Sequence, residues 1–277
     1  MKYQVKSMIG KIVSYLILII GACITVLPFV WMIFSSFKSR AEIMQVPPTF
    51  FPNEWHWQNY KEAFEAAPFG RYFLNTLVVT ICSTLASLCT TILASYGFAR
   101  IEFKGKNLIF SLFLATMMVP GEMLVITNFL TISSLKWLDT LQALVLPYMA
   151  NVFNIYLLRQ FFMQVPDALY YAAKVDGCGD FKYLIKIMIP LNKNALTTIA
   201  ILNIISCWNA YMWPLLVTNK PQNRVLSLGL TTFTSEAGSD YQLIMAASCV
   251  LVVPIVIFYL ILRKQIISGV SRSGIKG

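Results

Sequence analysis

The residues best suited to chemistry in this chain are uncharged. Tyr148, Asn151 and Asn154 recur at i, i+3 and i+6 in one apolar run, and Asn203, Ser206 and Asn209 are interleaved with Trp208, Tyr211 and Trp213 in another. Amides in hydrocarbon are costly unless paired, so these faces must meet other helices or water. Together with aromatic rings they suit a sugar, whose hydroxyls bond to amides while its apolar ring face rests on Trp or Tyr. Interhelical hydrogen bonding accounts for the same asparagines, and interfacial anchoring for Trp213, so both readings stay open. Catalytic patterns such as H-E-x-x-H, G-x-S-x-G or paired aspartates at membrane depth do not occur, and His56 has no neighbours with which to hold a metal.

These residues sit in a chain of 277 residues that is 57% hydrophobic and only 12% charged, with a mean hydropathy of +0.67. A soluble fold of that size cannot cover its surface with so little charge. Six apolar stretches, at about 12–34, 73–99, 108–129, 140–161, 195–217 and 241–262, are each long enough to cross roughly 30 Å of hydrocarbon as helices. The expected fold class is therefore all-α, a polytopic membrane protein with a single transmembrane domain over 1–277. The first stretch follows Lys2, Lys6 and Lys11 but runs past the length of a signal-peptide core and lacks a small-x-small cleavage site, so it reads as a retained helix. Five of the six cysteines fall within these stretches and read as packing residues rather than a disulfide framework.

The net charge of +10 is a topology signal. Alternate connections, counted from the N-terminus, hold Lys2 to Lys11, Arg100 to Lys106, Arg159 to Lys193 and Arg263 to Lys276, which is most of the basic residues. The remaining connections balance Lys38, Arg40, Lys61, Arg71, Lys136, Lys220 and Arg224 against as many acids. The positive-inside rule places both termini in the cytoplasm, and no nucleic-acid footprint is needed to explain the basicity.

The most informative segment outside the membrane is the cytoplasmic connection 159–194. Pro166 can occupy the first turn of a helix with Leu169, Ala172 and Ala173 on one face. Gly177 and Gly179 break that helix, and a second follows with Phe181, Leu184, Ile185, Met188 and Ile189 at helical spacing as far as Pro190. The expectation is a helix–turn–helix with a knuckle of small residues at its tip, which physics alone reads as an amphipathic interfacial loop.

The segment PDALYYAAKVDGCGDFKYLIKIMIPL resembles the EAA loop of inner-membrane permease subunits of ABC importers, and more closely the maltose-type carbohydrate permeases. YGFARIEFKGKN, MMVPGEM, WNAYMWPLL and a tail ending GVSRSGIKG extend the likeness over nearly the whole chain. It implies a type I importer fold in a bacterial cytoplasmic membrane and a coupling helix seated on a cytoplasmic ATPase. Tyr171, Ala172, Ala173, Asp176, Gly177, Cys178, Gly179 and Pro190 fall at the coupling positions. Tyr171 departs from the family's glutamate, so no role of that carboxylate carries over.

The implied partners are a second, related permease, two ATPase subunits carrying ATP and Mg, an extracytoplasmic solute-binding protein, a carbohydrate and membrane lipid. This chain has no G-x-x-x-x-G-K-[ST] loop and no cofactor of its own is expected. A self-sufficient secondary transporter or channel is the competing class; it would place ionisable groups near the midplane or show paired broken helices in two halves. Glu122, beside Pro120-Gly121, is placed near the outer surface as a snorkelling or ion-paired residue at an outer gate. Thr76, Thr80, Ser83, Ser87 and Thr91 form a stripe open to helix packing or to lining the pathway. The loop Thr218–Asp240 corresponds by position to one that meets the binding protein, and the C-terminal tail, with Gly269, Gly274 and Gly277, is placed toward the ATPase.

Overall fold

The structure, a computed structural model, describes residues 2–235 and 238–271. In chain order its helices are α1 (Lys2–Ser35), α2 (Arg40–Ile43), α3 (Gln58–Ala66), α4 (Phe69–Arg100), α5 (Lys106–Thr116), α6 (Val125–Ser134), α7 (Leu141–Val145), α8 (Val152–Met163), α9 (Asp167–Val175), α10 (Asp180–Tyr183), α11 (Ile189–Leu191), α12 (Lys193–Trp208), α13 (Met212–Val217) and α14 (Tyr241–Ser271). Short 3-10 turns and one π-helical turn join several of these. The strands β1 (Thr234–Ser235) and β2 (Gly238–Ser239) make a two-residue antiparallel ribbon before α14. The tail expected at the ATPase lies outside the described residues from 272 onward.

Among the described residues three helices are long and apolar enough to cross a membrane unaided: Gly10–Ser35, Phe69–Arg100 and Tyr241–Ile261. The other three apolar stretches are interrupted rather than straight, two of them as bent pairs of helices. The run expected at 108–129 turns by 89° between Thr116 and Gly121, where Pro120 cannot donate to a helical ladder. That expected at 140–161 turns by 44°, because Asn151 adopts an extended conformation and restarts the helix as its N-cap. α12 meets the preceding helix at 81° and stops at Trp208, so the stretch expected at 195–217 is α12, a break at 209–211 and α13. Sixteen residues rise only about 24 Å, short of a full hydrocarbon core.

The chain forms two compact units. In the unit of residues 1–68 with 229–254, the connection after α1 is held by a polar frame. Asn59 donates to the carbonyls of Ser36 (2.8 Å) and Lys38 (2.9 Å), and Glu42 accepts from Thr49 (3.0 Å) and the Asn53 backbone (2.9 Å). Phe34, Phe37, Phe50, Phe51, Trp55, Trp57 and Tyr60 pack as an aromatic cluster around that frame. An ion pair from Arg40 to Asp240 (3.0 Å) ties α2 to the start of α14.

In the unit of residues 69–228 with 255–277, α4 is the central post, packed along both α8 and α12. Its hydroxyl stripe is what makes this close approach possible: Thr76, Thr80, Ser83, Ser87 and Thr91 are all sealed inside. One core lies where Tyr96, Leu158, Phe162, Tyr183, Leu184, Met188 and Ile199 meet; another gathers Val79, Ile132, Leu144, Trp213, Val217 and Leu228. Trp213 is buried there and donates to the Ala143 carbonyl (2.8 Å), so it is a core residue and not an interfacial anchor. Elsewhere large apolar side chains stay exposed, as along α1 from Ile12 to Ile24, the arrangement a helix in lipid requires.

Candidate functional site

The cytoplasmic connection folds as a helical hairpin. Pro166 sits one residue before α9 rather than within its first turn, and Asp167 supplies a carboxylate to the helix N-terminus. At the other end the Cys178 N–H bonds to the Ala173 carbonyl (2.8 Å) and the Gly177 N–H to the Lys174 carbonyl (3.0 Å). This is a Schellman closure with Asp176 as C-cap and Gly177 at φ +70°. Nothing lies within 4 Å of where a Gly177 side chain would start, so the turn needs glycine for its backbone and not for space. Gly179 then caps α10, and a π-helical turn, Leu184–Met188, carries the chain to Pro190. The wider turn removes the carbonyl that a proline ring in a regular helix would strike.

The hairpin's faces differ from those the spacing predicts. On α9 it is Tyr170 and Ala173 that turn inward, while Leu169 and Ala172 face out. On the second helix Tyr183, Leu184 and Met188 are buried, but Phe181 and Ile185 are not. The physical reason is Asp180, a residue that local periodicity gives no cause to single out. Its carboxylate accepts from the hydroxyls of Tyr96 and Tyr170 (both 3.0 Å) and from the Lys174 ammonium (3.0 Å). Tyr170 also packs edge-on to Tyr183 at 5.2 Å. Lys174, together with the two phenols, holds the Asp180 carboxyl below the usual carboxylate range, and Asp180 in turn raises the Lys174 ammonium above its usual value.

Arg100, at the end of α4, completes the clamp. It pairs with Asp167 and donates to the carbonyls of Phe162 (3.0 Å) and Val165. The hairpin is thus fastened to α4 at two points, while Tyr171 (66% exposed), Val175 (88%) and Phe181 (69%) form an outward apolar face. A cleft of about 510 Å³ opens beside it, bordered by Arg100, Glu102, Asp167, Tyr170, Tyr171 and Asp180.

A second cavity, of about 310 Å³, lies between the start of α8 and α12. It brings together Tyr148, Asn151, Asn154, Asn203 and Ser206, with Pro147, Phe153 and Leu202. The first three are not one face of one helix, because the bend separates Tyr148 from α8; they converge on the cavity from either side of it. Asn203 donates to Thr84 (3.1 Å), whereas the buried Asn154 amide makes no side-chain hydrogen bond among the described residues. Trp208, Asn209 and Tyr211 are not brought to this cavity: Trp208 stacks edge-on with Phe73 at 5.9 Å, and Asn209 and Tyr211 are exposed in the break between α12 and α13. None of the hydroxyl stripe lines it either. Glu122 sits in the 3-10 turn at the 89° bend, exposed and without an ion pair among the described residues.

Residues 86–270 match the family model described as the binding-protein-dependent transport system inner membrane component. The chain is 30% identical over 264 residues to the diacetylchitobiose uptake system permease protein NgcG of Streptomyces coelicolor, covering 94% of this chain and 87% of that one. It is also 30% identical to the sn-glycerol-3-phosphate transport system permease protein UgpE of Yersinia pestis, covering 95% and 96%. Among solved structures, a chain of a bacterial ABC transporter involved in import of the acidic polysaccharide alginate superposes with a TM-score of 0.82 at 25% identity, over 94% of this chain and 97% of that chain.

Proposed function

Since the chain belongs to the family of binding-protein-dependent transport system inner membrane components, we propose that it is the sugar-carrying permease subunit of an ABC importer, driven through the hairpin at 166–191. In this reading it crosses a bacterial cytoplasmic membrane six times with both termini inside, the bent pairs at 106–134 and 141–163 and the stretch of α12 and α13 each counting as one broken passage. It works beside a second permease, receives a carbohydrate from an extracytoplasmic binding protein, and takes energy from two ATPase subunits that hold ATP and Mg. A carbohydrate substrate is supported by the relatives named for diacetylchitobiose and for the acidic polysaccharide alginate, while the third is named for sn-glycerol 3-phosphate; the three differ in the charge of what they carry, so charge selection has to be argued from this chain's own residues.

The observation that carries the reading is a hairpin that is apolar and open on one side and clamped on the other. Tyr171, Val175 and Phe181 present a surface for a partner, and Asp180 and Arg100 hand any displacement of it to α4. Ala172, Asp176, Gly177, Cys178 and Gly179 shape the tip, and Pro190 lies within the last helical turn, α11, which runs on to Leu191. Exposed apolar side chains at the end of a rigid element are what a moving partner can grip. The test is co-purification. Tyr171→Asp or Val175→Asp buries a charge at the contact and is expected to strip the ATPase subunits from the membrane complex while the two permeases stay together. Unchanged recovery of ATPase with both variants removes this face from the interface.

A further inference from the structure

We propose that the cavity between α8 and α12 is a subsite for an uncharged sugar ring, and that this importer therefore discriminates against anionic solutes; the proposal rests on the importer reading above. The lining holds no Asp, Glu, Lys, Arg or His. A phosphate or uronate entering it would lose hydration without meeting a cation.

What the lining offers instead is a balance of donors and acceptors. The Asn151 side-chain oxygen is taken by the Asn154 backbone N–H (3.0 Å), leaving the Asn151 amide hydrogens unused. Asn203 spends its amide nitrogen on Thr84 and Cys207, leaving its oxygen. Asn154 lines the cavity, is only 5% exposed, and neither function of its amide has a hydrogen-bond partner among the described residues. Tyr148 and Ser206 add hydroxyls that both give and accept. An anion needs donors alone and an ammonium needs acceptors alone; a sugar hydroxyl, which does both, fits a mixed set. Phe153, Leu202 and Pro147 supply the apolar wall for the C–H face of the ring. About 310 Å³ is at the small end of ligand sites, so an oligosaccharide would be engaged through one part of its length at a time.

The experiment uses the complete importer, with binding protein and ATPase subunits, in proteoliposomes. These are offered two pools, neutral oligosaccharides and a mixture of oligouronates with glycerol 3-phosphate, and the solutes accumulated on ATP are identified by mass spectrometry. Accumulation from the neutral pool alone is expected. Asn154→Leu, with the same branching and number of heavy atoms but without the amide, should lower that uptake about tenfold or more, as expected when one or two buried hydrogen bonds are lost, with the complex still recovered intact. In a second measurement, a Ser206→Cys variant should be alkylated by N-ethylmaleimide more slowly when the accumulated sugar is present.

Unchanged uptake by Asn154→Leu, accumulation of the anions, or alkylation indifferent to sugar each overturns the subsite. Loss of the second permease on Asn154→Leu also overturns it, showing the cavity to be a seat for that subunit. If neither pool is accumulated on ATP by the intact importer, the importer reading fails and the subsite with it, an outcome distinct from failure of the variants alone.

Discussion

Asp180 ties three side chains together where the hairpin meets α4. It is the shared acceptor for a phenol on α4, a phenol on α9 and the Lys174 ammonium. The ion pair is the weaker part, because both side chains are open to solvent and water screens their attraction. The phenols matter more, because Tyr96 is buried and its hydroxyl has no other acceptor here. Asp180→Asn keeps an oxygen for them and is expected to cost under about 1 kcal/mol, whereas Asp180→Ala leaves the Tyr96 hydroxyl unpaired and is expected to cost about 1–3 kcal/mol. Hydrogen exchange of the 167–191 amides, ordered wild type, Asn, Ala, checks this; equal protection in both variants refutes it. The pH dependence has a definite sign. A carboxyl held low contributes stability above its ordinary range and loses it as pH falls through the depressed value, and an ammonium held high loses its contribution only as pH rises through the raised one. From about pH 5 to 9 the pair should therefore leave hairpin protection unchanged.

At the scale of elements the hairpin shows what local chemistry determines and where it stops. Its turn is legible because glycine is needed there for a backbone reason: Gly177 has φ +70° and open space around it. Gly177→Ala meets no neighbour, so its cost should be the left-handed backbone alone, about 1–2 kcal/mol, with Gly177→Asn milder and Gly177→Val worse. Thermal unfolding of the three variants in detergent gives that order, while an alanine as harmful as valine would point to crowding instead. Which faces of the hairpin are buried was not legible, since Tyr170 and Tyr183 turn inward to meet Tyr96 and Asp180, and Tyr96 lies 84 residues from Asp180 along the chain. The bends were half legible. Pro120-Gly121 marks one in the sequence, but Asn151 looks the same in a sequence whether it caps a helix or lines a cavity, and here it does both.

For the whole molecule, hydropathy found the apolar material and missed its continuity, because a window average passes over a three-residue break as readily as over a helix. Charge is the independent constraint. In the six-passage reading the basic hairpin and the connection holding Lys220 face opposite sides of the membrane, with α12, the break at 209–211 and α13 between them. Cys178, half-exposed near the tip of the hairpin, is a native probe for one side. In membranes carrying the permeases without ATPase, a membrane-impermeant maleimide should modify Cys178 in inside-out vesicles only, and a Lys220→Cys variant at its introduced thiol in right-side-out vesicles only. Modification of both from one side would mean that the segment between them does not cross. If that side is the outer one, the hairpin is out of reach of the cytoplasmic ATPases and the chain has no source for the roughly 5.5 kcal/mol needed to reverse a two-state population from about 1:99 to 99:1.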